Sequence, residues 1–183
     1  MRSTKPADSA WNSLEIAKLV VALATPLVVA ITGWILQDEL VRQETTQKMQ
    51  MQLADHRLAV YDEVKTSLDR IYCFVEDVGT WKTETPDAII ALKRQVDQEM
   101  FSNQAIWSPR AFSAYKVYMD AAFLTYGGEI GDDAKIRTTD TEKRIGVKGW
   151  LEQWSNRLAP PDPEHRAKYL AMNDAISRDL MLE

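Results

Sequence analysis

The first strong pattern along the chain is an apolar run of 18 residues, Leu19 to Leu36, that contains no charged side chain. At ~1.5 Å of rise per residue such a helix is roughly 27 Å long, close to the hydrocarbon thickness of a bilayer. Because backbone groups inside hydrocarbon must bond to one another, we expect a helix despite Pro26. Trp34 suits one membrane interface, and Lys18 can snorkel from the other edge. No small-residue cleavage site follows the run, so it predicts a membrane anchor rather than a signal peptide.

Two stripes on this helix suggest a role beyond anchoring. Small side chains recur at spacings of four, four and three, which lets a second helix approach closely. Polar side chains recur every seven residues, where they can bond across an interface or line a wet lumen. The small-residue face is Ala22, Pro26, Ala30 and Gly33, and the polar stripe is Lys18, Thr25, Thr32 and Glu39. A simpler interpretation stays open, in which both threonines bond to carbonyls of their own helix.

Helical periodicity continues after the apolar run. The polar stretch 37–60 predicts a stalk that extends the membrane helix. From Tyr61 to Val78 apolar residues follow spacings of three and four, which predicts the core face of a bundle helix ending at Gly79. Three later helix starts combine a capping side chain with a proline: Thr85-Pro86, Ser108-Pro109 and Asp162-Pro163.

These elements predict an all-α chain, since no stretch alternates steadily between apolar and polar residues. One N-terminal transmembrane helix continues into a stalk, and a bundle of four or five helices follows. The segments are an N-terminal flank at 1–18, the transmembrane helix at 19–36, the helical stalk at 37–60 and the soluble bundle at 61–183. Within the bundle we expect a helix from Pro109 that stops at Gly127-Gly128, a charged loop from Glu129 to Ile145 and a short helix over Val147 to Arg157.

Charge and cysteine usage narrow the function classes. A net charge of -5 argues against a protein that mainly coats nucleic acid, which needs a basic footprint. Basic residues are balanced three against three across the membrane segment, so the positive-inside rule does not decide the orientation. The single cysteine, Cys73, lies in an apolar run and fits a reducing compartment, which favours a cytoplasmic C-terminal domain.

Enzyme and metal motifs are absent from the sequence. No phosphate-binding glycine loop, hydrolase elbow or zinc-protease motif occurs. The only histidines are His56 and His165, and we expect both to be exposed structural residues. With one cysteine and two histidines, we expect no metal, no cofactor and no catalytic set.

The stretch 132–148 looks most like a binding site. From Lys135 to Lys148 it holds five cations against Asp140 and Glu142, a local excess of three. The candidate ligand-binding residues are Lys135, Arg137, Lys143, Arg144 and Lys148. Lysine and arginine among threonine hydroxyls can grip a phosphate, a nucleotide or an RNA backbone. The alternative is a solvated loop whose charges pair internally.

The layout of the whole chain resembles small single-pass membrane accessory proteins of bacterial type VI CRISPR systems. The apolar run, the helical stretch that follows it and the proline-capped helices carry this likeness. It is a likeness of architecture: the Arg–His motif of the related helical ribonucleases, which puts four to six residues between Arg and His, is absent, because seven residues separate Arg157 from His165. The resemblance implies a membrane protein that assembles into a ring-shaped pore.

Two functions follow as hypotheses. The first is a homo-oligomeric effector that is anchored in the bacterial inner membrane and acts in antiviral defence. In its fuller form this hypothesis makes the oligomer a pore. Its partners would be membrane lipid and other copies of the chain, with a nucleotide, RNA or protein as trigger. The alternative is a membrane-anchored adaptor or sensor that binds a nucleotide, RNA or protein partner through the 132–148 loop.

Overall fold

The computed structural model describes residues 13–125 and 134–181, and contacts divide the chain into two compact units, Met1–Met49 and Gln50–Glu183. Helices dominate the described residues, which confirms the predicted all-α class. The helices are α1 (Ser13–Val75), α2 (Pro86–Ser102), α3 (Pro109–Ala122), α4 (Thr141–Ile145) and α5 (His165–Met181). Three short strands are β1 (Phe123–Leu124), β2 (Lys135–Arg137) and β3 (Leu158–Ala159). Single 3-10 segments lie at Trp81–Thr83, Gln104–Ile106 and Glu152–Arg157.

The N-terminal unit contributes an exposed apolar helix. An 18-residue window of α1 has a mean hydropathy of 2.3, and none of that window is buried. Among the described residues α1 is the one helix long and apolar enough to cross a membrane. Pro26 lies inside it. A proline there removes one backbone donor from the helix ladder, and the helix continues on both sides of it.

The C-terminal unit is built around the last turns of α1. Val64, Leu68 and Ile71 are buried at helical spacing, as the apolar seam predicts. The helix ends at Val75 rather than at Gly79, so the predicted end is four residues late. Asp77 and Gly79 both have positive φ, 57° and 62°, and a left-handed backbone cannot continue a right-handed helix.

The predicted helix starts are confirmed at α2 and α3. The Thr85 hydroxyl accepts a hydrogen bond from the backbone N–H of Ala88 at 3.2 Å, and the Ser108 hydroxyl accepts one from Ala111 at 3.1 Å. Each cap satisfies a backbone donor that the first turn leaves unbonded. α3 packs most extensively against α5, and their facing apolar residues complete the core of this unit.

A small sheet replaces part of the structure predicted after α3. Phe123 pairs antiparallel with Ile136, and Ile136 pairs parallel with Leu158. All three are buried, so the sheet adds apolar residues to the core.

The predictions for residues 123–157 are therefore wrong in three places. Phe123 lies in a strand and not in α3. The charged loop contains β2 and α4. The helix expected at 147–157 is a turn followed by a 3-10 segment, because Gly149 has a φ of 87°. The predicted stop at Gly127-Gly128 lies outside the described residues, and so do residues 132–133 of the stretch 132–148, which we call the basic segment.

Candidate functional site

The two stripes of the apolar helix lie on exposed surface. Thr25 donates its hydroxyl hydrogen bond to the carbonyl of Val21 at 2.8 Å, and Thr32 donates to that of Val28 at 2.8 Å. The simpler interpretation of these threonines is therefore the geometry observed, because each hydroxyl donor is used inside its own helix. The remaining residues singled out on this helix are also exposed: Lys18, Ala22, Pro26, Ala30, Gly33 and Glu39.

One cation of the basic segment, Arg144, is buried in the core of the C-terminal unit. Arg144 has a side chain only 1% exposed, and its guanidinium lies 3.9 Å from the ring centre of Phe74 and 4.9 Å from that of Trp81. It donates hydrogen bonds to Thr138 Oγ1, to the carbonyl of Phe74 and to Asp77 Oδ1. Burial lowers the pKa of Arg144 from its usual value, and the charge of Asp77 opposes that shift.

Asp77 connects the end of α1 to the basic segment. Its carboxylate pairs with Arg144, accepts a hydrogen bond from Thr139 Oγ1 at 3.0 Å and lies 3.3 Å from Lys143 Nζ. Aspartate is one of the few residues besides glycine that adopt the left-handed conformation with some frequency. Sequence reasoning missed Asp77, since its three partners lie more than sixty residues further along the chain.

A cavity of about 180 Å³ lies next to this buried pair. Its deep wall is formed by buried side chains, Phe74, Trp81 and Arg144. Two exposed lysines, Lys82 and Lys148, also line it and therefore lie where the cavity meets solvent. The other lining residues are Thr83, Glu84, Thr85, Val147, Gly149, Trp150 and Trp154.

Two tryptophans of the cavity wall are held by hydrogen bonds and by each other. The rings of Trp150 and Trp154 meet edge to face with centres 5.4 Å apart. Trp150 donates its indole N–H to Ser155 at 3.3 Å, and Trp154 donates to Asp87 at 3.1 Å. Because both indole N–H groups are bonded, the rings are held in fixed positions.

The structure brings together some of the five candidate cations and separates the others. Lys148 lines the cavity, and Lys143 Nζ lies 5.0 Å from the ring centre of Trp81. Arg144 is internal and is not a surface cation. Lys135 and Arg137 belong to β2 and do not line the cavity; Arg137 instead donates to the carbonyl of Pro160 at 3.1 Å. Sequence reasoning also missed Trp81 and Lys82, although an aromatic–lysine pair just after Gly79 was a visible signal.

The second histidine has an environment that differs from the prediction. His165 was expected to be exposed, but it is 2% exposed, because it lies against Tyr72 and Tyr118 in the core. Its Nδ1 lies 2.8 Å from Glu76 Oε1, and its Nε2 has no hydrogen-bond partner among the described residues. Burial lowers the pKa of His165, while Glu76 opposes that shift. The pair does not line the cavity.

Metal ligands are not clustered in the part of the chain that the structure describes. No group of three or more His, Cys, Asp or Glu side chains is placed there to hold an ion. The lone Cys73 is half-buried, and burial raises the pKa of its thiol.

Comparison with protein-family models, with curated proteins and with solved structures finds no match to this chain.

Proposed function

We propose that this chain is a single-pass protein of the bacterial inner membrane that acts as a homo-oligomeric effector, with residues 50–183 on the cytoplasmic side. One observation carries the membrane part: the apolar window of α1 is wholly unburied. Eleven large apolar side chains from Leu19 to Leu36 are each 47–75% exposed. Full burial of one such side chain contributes about 1.5–3 kcal/mol, so covering this surface contributes on the order of 10 kcal/mol. Lipid is the cover that the length of the window fits.

Self-association through the small-residue face is the second part of the proposal. A Cβ built on Gly33 would meet no atom within 4 Å, so the chain's own packing does not require a glycine there. A glycine in an exposed apolar helix does allow another helix to approach closely. The hydroxyls of Thr25 and Thr32 donate within their own helix, so neither needs a donor partner on a neighbouring helix, and each oxygen can still accept a hydrogen bond from water in a lumen.

The pore and the antiviral role are the finer parts of the effector proposal. Both are supported by the architectural resemblance to membrane accessory proteins of type VI CRISPR systems. The cytoplasmic placement is supported by the single unpaired cysteine, which suits a reducing compartment.

A matched pair of variants tests the anchor and the oligomer separately. Ala22 and Ala24 are both exposed in the apolar window and lie two residues apart, on nearly opposite sides of the helix. We expect Ala22→Leu to shift the detergent-solubilised full-length chain towards monomer, and Ala24→Leu to leave its size unchanged. Both variants should sediment with membranes and resist extraction by alkaline carbonate.

Two results would contradict this proposal in different ways. If carbonate releases the unmodified chain from membranes, the apolar helix is not a membrane anchor. A monomeric unmodified chain at micromolar concentration, or equal effects of the two leucines, removes the small-residue interface.

The cavity favours a second candidate function, a membrane-anchored sensor or adaptor. The observation that carries it is a concave site lined by aromatic rings and cations, which is the usual form of a small-ligand pocket. The basic segment contributes Lys148 and Arg144 to that site, while Lys135 and Arg137 lie elsewhere. Binding of a small ligand to the full-length chain, measured by calorimetry, tests this function.

A further inference from the structure

We infer that the cavity beside Trp81 binds a small anion that carries one planar ring system. This is the chemistry shared by a nucleoside monophosphate and an aromatic carboxylate. The inference rests on the second candidate function and names the ligand class of its site. Four features of the cavity carry it: the aromatic walls, the size, the charge at the mouth and an unpartnered donor.

The walls favour a flat, unsaturated ligand. Trp150 and Trp154 supply this wall, because both are half-buried and are fixed by their indole hydrogen bonds. Trp81 is 6% exposed and already has Arg144 and Lys143 against its ring, so it closes the cavity rather than stacking on a ligand. Aromatic side chains stack on any planar ring without regard to its substituents. A wall of this kind therefore selects for flatness.

The size of the cavity limits the ring system. About 180 Å³ is slightly larger than the ~150 Å³ engineered cavities that accept benzene. One ring, or the two fused rings of a purine, fills such a space. The remaining part of a larger ligand would extend past the exposed lysines into solvent.

The charge at the mouth selects an anion. Lys82 and Lys148 are exposed and have no ion-pair partner among the described residues, and Lys82 Nζ lies 5.7 Å from the ring centre of Trp81. The one lining carboxylate, Glu84, is already bound to Arg70 by two hydrogen bonds of 2.8 Å. Arg144 is neutralised by Asp77. Two uncompensated positive charges therefore remain at the place where an anionic group would lie.

The deep wall also offers a hydrogen-bond donor. Arg144 bonds through Nε and one terminal nitrogen, but its Nη1 is buried and has no hydrogen-bond partner among the described residues. A buried donor without a partner is uncommon and is often completed by a ligand or an ordered water. Nη1 has almost no accessible surface, so a ring nitrogen or a ring carbonyl in the cavity would accept from it after a small shift of the Arg144 side chain.

Isothermal titration of the full-length chain in detergent tests the inference. The probes are AMP, GMP, CMP and UMP, the four matching nucleosides, benzoate, indole-3-carboxylate and inorganic phosphate. We expect saturable binding of at least one monophosphate or aromatic carboxylate. The matching nucleoside should bind at least tenfold more weakly, and inorganic phosphate should not bind. Binding of a monophosphate, or instead of an aromatic carboxylate, tells which of the two types of anion the cavity accepts.

Lysine variants then locate the site. Lys148→Gln removes one cation from the cavity and should weaken binding about tenfold, because a charge-assisted hydrogen bond is lost. Lys135→Gln is the matched control, since Lys135 lies in the same basic segment but outside the cavity. Trp154→Leu should weaken binding of every ring-bearing probe by removing a stacking wall.

Several outcomes would overturn the inference. No saturable binding of any ring-bearing anion up to millimolar concentration removes it, as does equal binding of a monophosphate and its nucleoside. If Lys135→Gln loses binding and Lys148→Gln keeps it, the site lies on the surface of β2 and not in the cavity. Because membrane sedimentation and oligomer size are measured without added ligand, these failures leave the effector proposal standing.

Discussion

Replacing Asp77 with Asn removes the carboxylate that pairs with Arg144, yet keeps a side chain that tolerates the left-handed backbone at this position. The side chains of Arg144 and Asp77 are 1% and 7% exposed, so water cannot take the place of the lost charge. Removing one partner of a buried ion pair costs about 3–5 kcal/mol. The asparagine oxygen can still accept a hydrogen bond, so we expect a loss near the lower end, about 3 kcal/mol.

Urea unfolding of the full-length chain, followed by tryptophan fluorescence, measures this loss, because Trp81 lies against Arg144. Glu84→Gln is the matched control. This variant, too, removes the carboxylate of an arginine–carboxylate pair, here the pair that Glu84 forms with Arg70. Unlike Arg144, Arg70 is 42% exposed. An ion pair accessible to solvent contributes about 1 kcal/mol or less. A loss below 1 kcal/mol in Asp77→Asn, or equal losses in the two variants, would refute the assignment of Arg144 and Asp77 as a buried structural pair.

The other predictions concern caps, pH and the polar stripe. Thr85→Ala and Ser108→Ala should each lower the free energy of unfolding by about 1 kcal/mol, because each removes an observed N-cap bond; an unchanged urea midpoint would contradict this. Burial lowers the pKa of His165 in the folded state, so the unfolded chain takes up the proton first and stability falls as the pH drops below about 6.5. His165→Phe should flatten that loss between pH 7 and 5 in thermal melts, and an equally steep loss would exclude His165 as its source. Thr25→Val combined with Thr32→Val should abolish membrane depolarisation if the stripe lines a wet pore; full activity in this variant would argue that it does not.

The helices could be predicted from the sequence because their signals are local. Apolar residues three and four positions apart identified the buried side of α1, and Thr85 and Ser108 marked the starts of α2 and α3. The end of α1 was placed too late, because the left-handed backbone at Asp77 leaves no periodic trace. The strands were missed because β1 and β3 have two residues each and β2 has three, too few to show alternation.

The candidate site could be predicted only in part, since its contacts join distant positions. The basic segment pointed to Lys148 as a ligand-binding residue, and Lys148 lines the cavity, but the cavity is also lined by Trp81 and Glu84 from the connection between α1 and α2. No pattern within a single helix predicts that these turns meet. Burial of Arg144 was equally hidden, because its aspartate partner lies 67 residues earlier in the chain.

The five cations of the basic segment show how packing changes the meaning of a local charge excess. In sequence they exceed the nearby carboxylates by three, which suggested that the segment can bind a phosphate, a nucleotide or an RNA backbone. In the structure Asp77 forms ion pairs with Arg144 and Lys143. The carbonyl of Pro160 accepts a hydrogen bond from Arg137. Of the cations in this segment, only Arg144 and Lys148 line the cavity, and only Lys148 lacks an ion-pair partner there. The cation that joins it, Lys82, lies 66 residues earlier in the chain. Anion binding at the cavity would therefore depend on two lysines that folding brings to the same opening, and most of the charge that made the segment conspicuous serves to hold it against the end of α1.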